Sequence, residues 1–269
     1  MAFHILIFII MFSISSITYS QKTWIVGVVP QHSAKKLTKV WKPFLRYLSQ
    51  KTGEKFAFQT APNNTVFEQR TQSARYDFVY FSPSHYVRFH KTANYNAIAK
   101  AKNKHIRGII VVRKDCVMKN LTEIDQHHIG FPSATAFAAS IIPRRVLKSK
   151  KIPFKAIYSK THDNVYYGVA NGFYHAGGGV VRTFNATDPK IKDRLKILWT
   201  SKSYPPHAIA AHQRVPTAVI KKFRNALVSM ANNAKTQQLY INMKIKYGFE
   251  PATNKDWDDV RRLGIDTKN

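Results

Sequence analysis

Cysteine is nearly absent from this sequence. Cys116 stands alone, which excludes an intramolecular disulfide framework and any metal cluster built on thiolates. Acidic residues are scarce as well: 14 Asp and Glu face 43 Lys and Arg in 269 residues, a formal charge of +29. So few carboxylates leave general acid and base chemistry short of candidates, and neither a Gly-x-Ser-x-Gly elbow nor a His-Glu-x-x-His metal motif occurs. Adjacent residues of a strand point to opposite faces, so His127-His128 does not converge on one metal ion. No catalytic residue, metal site or cofactor is expected. Internal repeats and low-complexity stretches are also missing, and the apolar run Ile5 to Phe12 is far shorter than the twenty or so residues a membrane span needs.

That run is followed by small and polar residues ending Thr18-Tyr19-Ser20, the pattern of a secretory leader cut before Gln21, although His4 stands where Lys or Arg is usual. No cysteine follows it, so a lipid anchor is not expected, and the expected location is the periplasm. Removing 20 of 269 residues leaves 249, more than one hydrophobic core usually serves, so two lobes are expected. The positive charge admits three readings: nucleic acid, an acidic surface, or a field that draws in small anions. The basic residues are scattered rather than gathered in an arm and the chain carries a leader, so nucleic acid is not an expected partner.

Along the rest of the chain, continuous apolar runs alternate with helical periodicity, as in an α/β fold with covered strands. Residues 23–29 read as a strand ended by Pro30; Leu37, Val40, Trp41, Phe44 and Leu48 recur at helical spacing before Gly53. Thr65 and Glu68 have the spacing of a capping box, Asp77 to Phe81 reads as a strand, and 107–113 as another, where the first crossover is placed. The pattern then restarts, with a strand at 128–131, a helix after Thr135, a helix after Asp163 and strands on either side of Gly177-Gly178-Gly179. The expected domains are a leader at 1–20, lobe 1 at 21–112 plus 200–269, and an inserted lobe 2 at 113–199. Two lobes joined by two crossing segments suit hinge closure on a ligand.

In order and spacing, several segments resemble the phosphate, phosphite and phosphonate type of periplasmic solute-binding proteins that serve ABC transporters. They are Gly27-Val28-Val29-Pro30-Gln31, Trp41-Lys42-Pro43-Phe44-Leu45, Tyr76-Asp77-Phe78-Val79-Tyr80 with Pro83 and Tyr86, Phe131-Pro132-Ser133, Thr161-His162-Asp163-Asn164-Val165-Tyr166 and Ala176-Gly177-Gly178-Gly179. The resemblance implies a type II periplasmic-binding-protein fold, a small oxyanion held between hinged lobes, and delivery to a membrane permease. The same fold also suits a ligand-sensing or surface-interaction protein coupled to a membrane receptor or sensor kinase.

Helix N-termini present free amides and a positive dipole end to an anion. Two are expected at the cleft, one after Ser133-Ala134-Thr135, the other at His162-Asp163, with Asp163 as N-cap and His162 as a donor. Gln31, Tyr80 and Ser82 lie at strand ends, where open α/β sheets bind ligands, and His207 sits at the return crossover. Two departures from the family stand out. Ala136-Phe137-Ala138 occupies the stretch where hydroxyl residues are usual, and His175 the position where an acid is common. Either change alters the ligand, toward another anion or an organic molecule stacking on Phe137.

Overall fold

The computed structural model describes residues 21–264 apart from 125 and 233, with the side chains of 232–235 also outside the description. The leader reading therefore lies outside the described residues. From Thr23 the chain forms β1 (Thr23–Val28), α1 (Ala34–Thr52), β2 (Lys55–Gln59), α2 (Asn64–Gln72), β3 (Phe78–Phe81), α3 (Pro83–Ala93) and β4 (Tyr95–Ala101). After a crossing segment come β5 (Gly108–Arg113), β6 (His128–Phe131), α4 (Ile142–Ser149), β7 (Lys155–Tyr158), α5 (His162–Ala170), β8 (Ala176–Val180), α6 (Val181–Asn185), α7 (Pro189–Lys192) and β9 (Leu195–Thr200). A second crossing leads to β10 (Ala208–His212), α8 (Thr217–Ser229), α9 (Ala234–Asn242), β11 (Phe249–Pro251) and α10 (Asp258–Arg261). Among the described residues no helix is long and apolar enough to cross a membrane.

The strands form two sheets, in the orders β11-β4-β10-β3-β1-β2 and β7-β6-β8-β5-β9. β1, β2 and β3 are parallel, while β10 runs antiparallel between β3 and β4 and so returns the chain to the first sheet. The expected boundary after residue 112 differs from this arrangement. β5 pairs with β8 and β9, placing it in the second sheet, and the crossing segments are residues 102–107 and 201–207. A fully apolar strand looks the same in either sheet; its partners decide. The crossings are tied by reciprocal backbone hydrogen bonds between Ile106 and Tyr204, both 2.9 Å.

Local chemistry explains the helix starts, with two corrections. Asn63, not Thr65, caps α2, its side chain accepting from Val66 N at 3.0 Å. Glu68 instead binds Arg88 at 2.6 Å and His85 at 3.0 Å. Likewise Thr161, not Asp163, caps α5, accepting from Asn164 N at 3.1 Å. The helix after Thr135 begins as a π turn, Phe137–Ile141, before α4. Pro143 has no N–H to give Ala139 the ordinary helical bond, and the turn widens so that Ile142 N reaches Phe137 O.

Gly177, Gly178 and Gly179 lie inside β8 rather than between two strands. A Cβ on Gly178 would meet the Ala139 carbonyl oxygen at 2.0 Å; on the other face, one on Gly177 would meet Val165 at 2.6 Å and one on Gly179 the Tyr166 hydroxyl at 2.2 Å. Alternation along the strand thus lets the π turn press on one face and α5 on the other. β5 divides its side chains in the same way, Ile110 and Val112 packing with Phe131 and Leu147, Ile109 and Val111 with Val165 and Tyr166.

Replacing Gly178 by Ala is expected to destabilise the fold by about 3 kcal/mol or more, at the upper end of overpacking costs, in denaturant unfolding. A loss below about 1 kcal/mol would show that the π turn slides off the strand at little cost.

Candidate functional site: a basic cleft between the lobes

Strand direction decides what meets between the lobes. In the first sheet the carboxyl ends of β1, β3 and β4 lie beside the start of β10; in the second, the carboxyl ends of β6, β7 and β8 lie beside the start of β5. Both crossing segments leave from these ends, so the ends face each other across the hinge. Gln31, His32, Tyr80, Ser82, Lys104 and His207 come from one side, and Ser133, Thr135, His162, Asp163 and Arg182 from the other. Asn64 Nδ2 donates to Thr135 Oγ1 at 3.4 Å across the gap.

Tyr80 is buried between Trp41, at 5.0 Å between ring centroids, and His207, stacked at 4.9 Å with 16° between planes. Burial pushes the Tyr80 hydroxyl up to about 12, against the pull of Arg182, so it stays a donor. His162, first residue of α5, is held through Nδ1, which lies 3.3 Å from Thr183 Oγ1. Thr183 in turn donates to Val180 O at 2.9 Å and sits 2.8 Å from the Tyr166 hydroxyl. That arrangement fixes the ring and leaves Nε2 for a ligand.

Three histidines are kept neutral. Burial, then the charge of Arg182 and the proximity of His32, lowers His162 to about 4. Burial, then Lys36, Arg182 and Lys244, lowers His32 to about 4, with Asp163 opposing. His207 is held well below its ordinary value by burial, Arg182, Lys104 and His85. Burial with Arg182 and Lys244 also lowers the half-buried Lys104 ammonium to about 8, and its Nζ donates to Lys244 O at 2.8 Å. Arg182, in the first turn after β8, is therefore the charge common to all of these groups.

Several expected site residues have other work. Ser82 caps α3, accepting from His85 N at 3.4 Å, and the Gln31 backbone turns back to Val29 O at 2.8 Å. Phe137 is buried, edge-on to Tyr204 at 5.4 Å, and packs with the first lobe's core at the hinge. It offers no open face for stacking. Ala136 precedes the π turn without a side-chain cap. His175 precedes β8 and stacks on His127 at 4.2 Å. That is the opposite end of the sheet from the cleft, five strand residues or about 16 Å away. Two surface concavities lie elsewhere. One, of about 690 Å³, is lined by Gln59, Arg70, Arg75 and Arg214 on the first lobe; the other by Tyr158, Tyr167 and Phe173 on the second lobe.

Sequence reasoning missed Arg182, Lys104, His32 and Lys244. The signal for Arg182 was present, because it follows the carboxyl end of a strand; reading the glycine triplet as a link between two strands hid that end.

Residues 26–257 match the family model described as the phosphonate ABC transporter periplasmic substrate-binding protein. The chain belongs to that family. Its members are solute-binding components of ABC transporters, and the two-lobed type II fold is shared with solved structures. A binding protein component of an ABC phosphonate transporter from Pseudomonas aeruginosa superposes with a TM-score of 0.80 at 17% identity, covering 91% of this chain and 86% of that one. PhnD1 from Prochlorococcus marinus, in complex with methylphosphonate, gives 0.81 at 18% identity, covering 90% and 97%. A Xanthomonas citri protein bound to ATP gives 0.77 at 13% identity, covering 91% and 99%. Curated protein sequences give no match.

The neutral histidines set a pH dependence. Below the ordinary pKa of about 6.5, the unfolded chain takes up protons that folded His32 and His162 refuse until about pH 4. Folding stability is thus present above pH 6.5 and lost as the pH falls toward 4. The ligand-free protein is expected to melt at lower temperature at pH 5 than at pH 7, and His162→Gln to lose less over that interval than the parent. Equal losses would show that His162 is solvated in the folded chain.

Proposed function

We propose that this chain captures a phosphorus oxyanion of the phosphonate type between its lobes and hands it unchanged to an ABC importer permease, after export through a cleaved leader to the periplasm. The observation that carries this reading is the convergence of Arg182, Lys104, neutral His162 and the Tyr80 hydroxyl from both lobes on one gap. A guanidinium supplies paired donors for oxyanion oxygens, and the neutral His162 ring, whose Nδ1–H goes to Thr183, offers Nε2 as an acceptor for the P–OH of a protonated oxyanion. The N-terminus of α5 adds free amides and a positive dipole end. Methylphosphonate and ATP, held by two of the similar structures, share phosphoryl oxygens, which supports the same chemistry here. Family membership favours delivery to a transporter over a sensing role.

The test is a thermal-shift and calorimetric screen of the purified protein against phosphate, phosphite, methylphosphonate, sulfonates and small carboxylates at two salt concentrations. A phosphorus oxyanion at a hundred times its Kd is expected to stabilise the fold by about 2.7 kcal/mol, with little change at higher salt. Arg182→Gln and His162→Ala are each expected to weaken that binding at least tenfold without loss of fold. Weak, salt-sensitive shifts shared by every polyanion would overturn the reading, since exposed charges alone are screened in that way.

A further inference from the structure

The cleft holds more positive charge than one phosphoryl head calls for, and its arrangement has two sides. Arg182 acts on His162 and His207 toward α5 and β3, and on Lys104 toward the hinge. Lys104 is in turn coupled to Lys244, whose backbone oxygen its ammonium holds. These cations come from three separate places: the turn after β8, the first crossing segment and the α9–β11 connection.

Carboxylates that could neutralise them are engaged elsewhere. Glu54 pairs with Lys222 at 2.8 Å, Asp77 with Arg214 at 3.0 Å, Glu68 with Arg88, and Asp256 with Lys100. Among the described residues, Asp163 is the carboxylate whose charge reaches the cleft groups, and it acts on His32 and Tyr166 rather than on Lys104. The hinge side of the cleft thus carries the half-buried Lys104 and the exposed Lys244 beside Arg182, with no carboxylate within ion-pair distance of any of the three among the described residues. Like charges at such a site repel until an anion separates them.

Resting on the oxyanion reading above, we infer that the natural ligand is anionic at both ends: a phosphonate or phosphate compound carrying a second carboxylate or phosphoryl group, which sits against Lys104 and Lys244. A ligand with an ammonium tail is disfavoured, because that tail meets two cations and no carboxylate.

Calorimetry of the purified protein at pH 7.5 and physiological salt with methylphosphonate, phosphonoacetate and 2-aminoethylphosphonate separates the possibilities. Phosphonoacetate is expected to bind at least tenfold more tightly than methylphosphonate, and 2-aminoethylphosphonate at least tenfold more weakly. Lys104→Met is expected to cost phosphonoacetate at least tenfold more affinity than it costs methylphosphonate, and Lys104→Glu to move preference toward 2-aminoethylphosphonate. If methylphosphonate binds and phosphonoacetate is no tighter than 2-aminoethylphosphonate, the second anionic end is wrong while the oxyanion head stands. If none of the three binds, both fall.

Discussion

The close approach of two helices to the middle of β8 governs the geometry of this protein. Three successive glycines, Gly177 to Gly179, leave no side chain on either face of the strand, so a carbonyl of the π turn and the first turns of α5 lie directly on it. Interiors are packed too densely to absorb even one added methyl here without movement. The consequence is functional as well as structural. Both loops that open toward the hinge, 132–136 and 159–162, are set in depth by this contact, and Arg182 emerges two residues beyond the same strand.

Electrostatics follows from how the few acids are spent. Their partners are basic residues at the base of the first sheet, between α2 and α3, or on β4. What remains between the lobes, apart from the Asp163 carboxyl, is cationic or neutral. Burial makes charge expensive there, so the histidines stay neutral and, at His162, fixed in orientation through Thr183. Under the proposed reading, such a site replaces an anion's lost hydration with preset N–H and O–H groups, and its field reaches outward over a distance that salt shortens.

The hinge belongs to the same design. Ile106 and Tyr204 join the crossings back to back, Phe137 packs its ring edge on Tyr204, and Trp257 donates to Pro206 O at 3.0 Å. The lobe-2 helix nearest the cleft is thereby anchored in lobe-1 packing, so the aromatic at 137 is buried between the lobes and offers no open face for ligand stacking.

Sequence by itself determined the alternation of strands and helices, the two-lobed class and the excess of positive charge. These rest on local chemistry and totals: apolar periodicity, capping residues, turn glycines, and 43 basic against 14 acidic residues. It also placed His162, Tyr80 and His207 at strand and helix ends that do meet. Only the tertiary structure decided which cations converge, because His32, Lys104, Arg182 and Lys244 come from four distant segments with no spacing rule among them. It likewise sent His175 to the wrong end of its sheet for a ligand and moved β5 into the second lobe, since strand direction and partner choice are set by long-range pairing that a run of apolar residues does not encode.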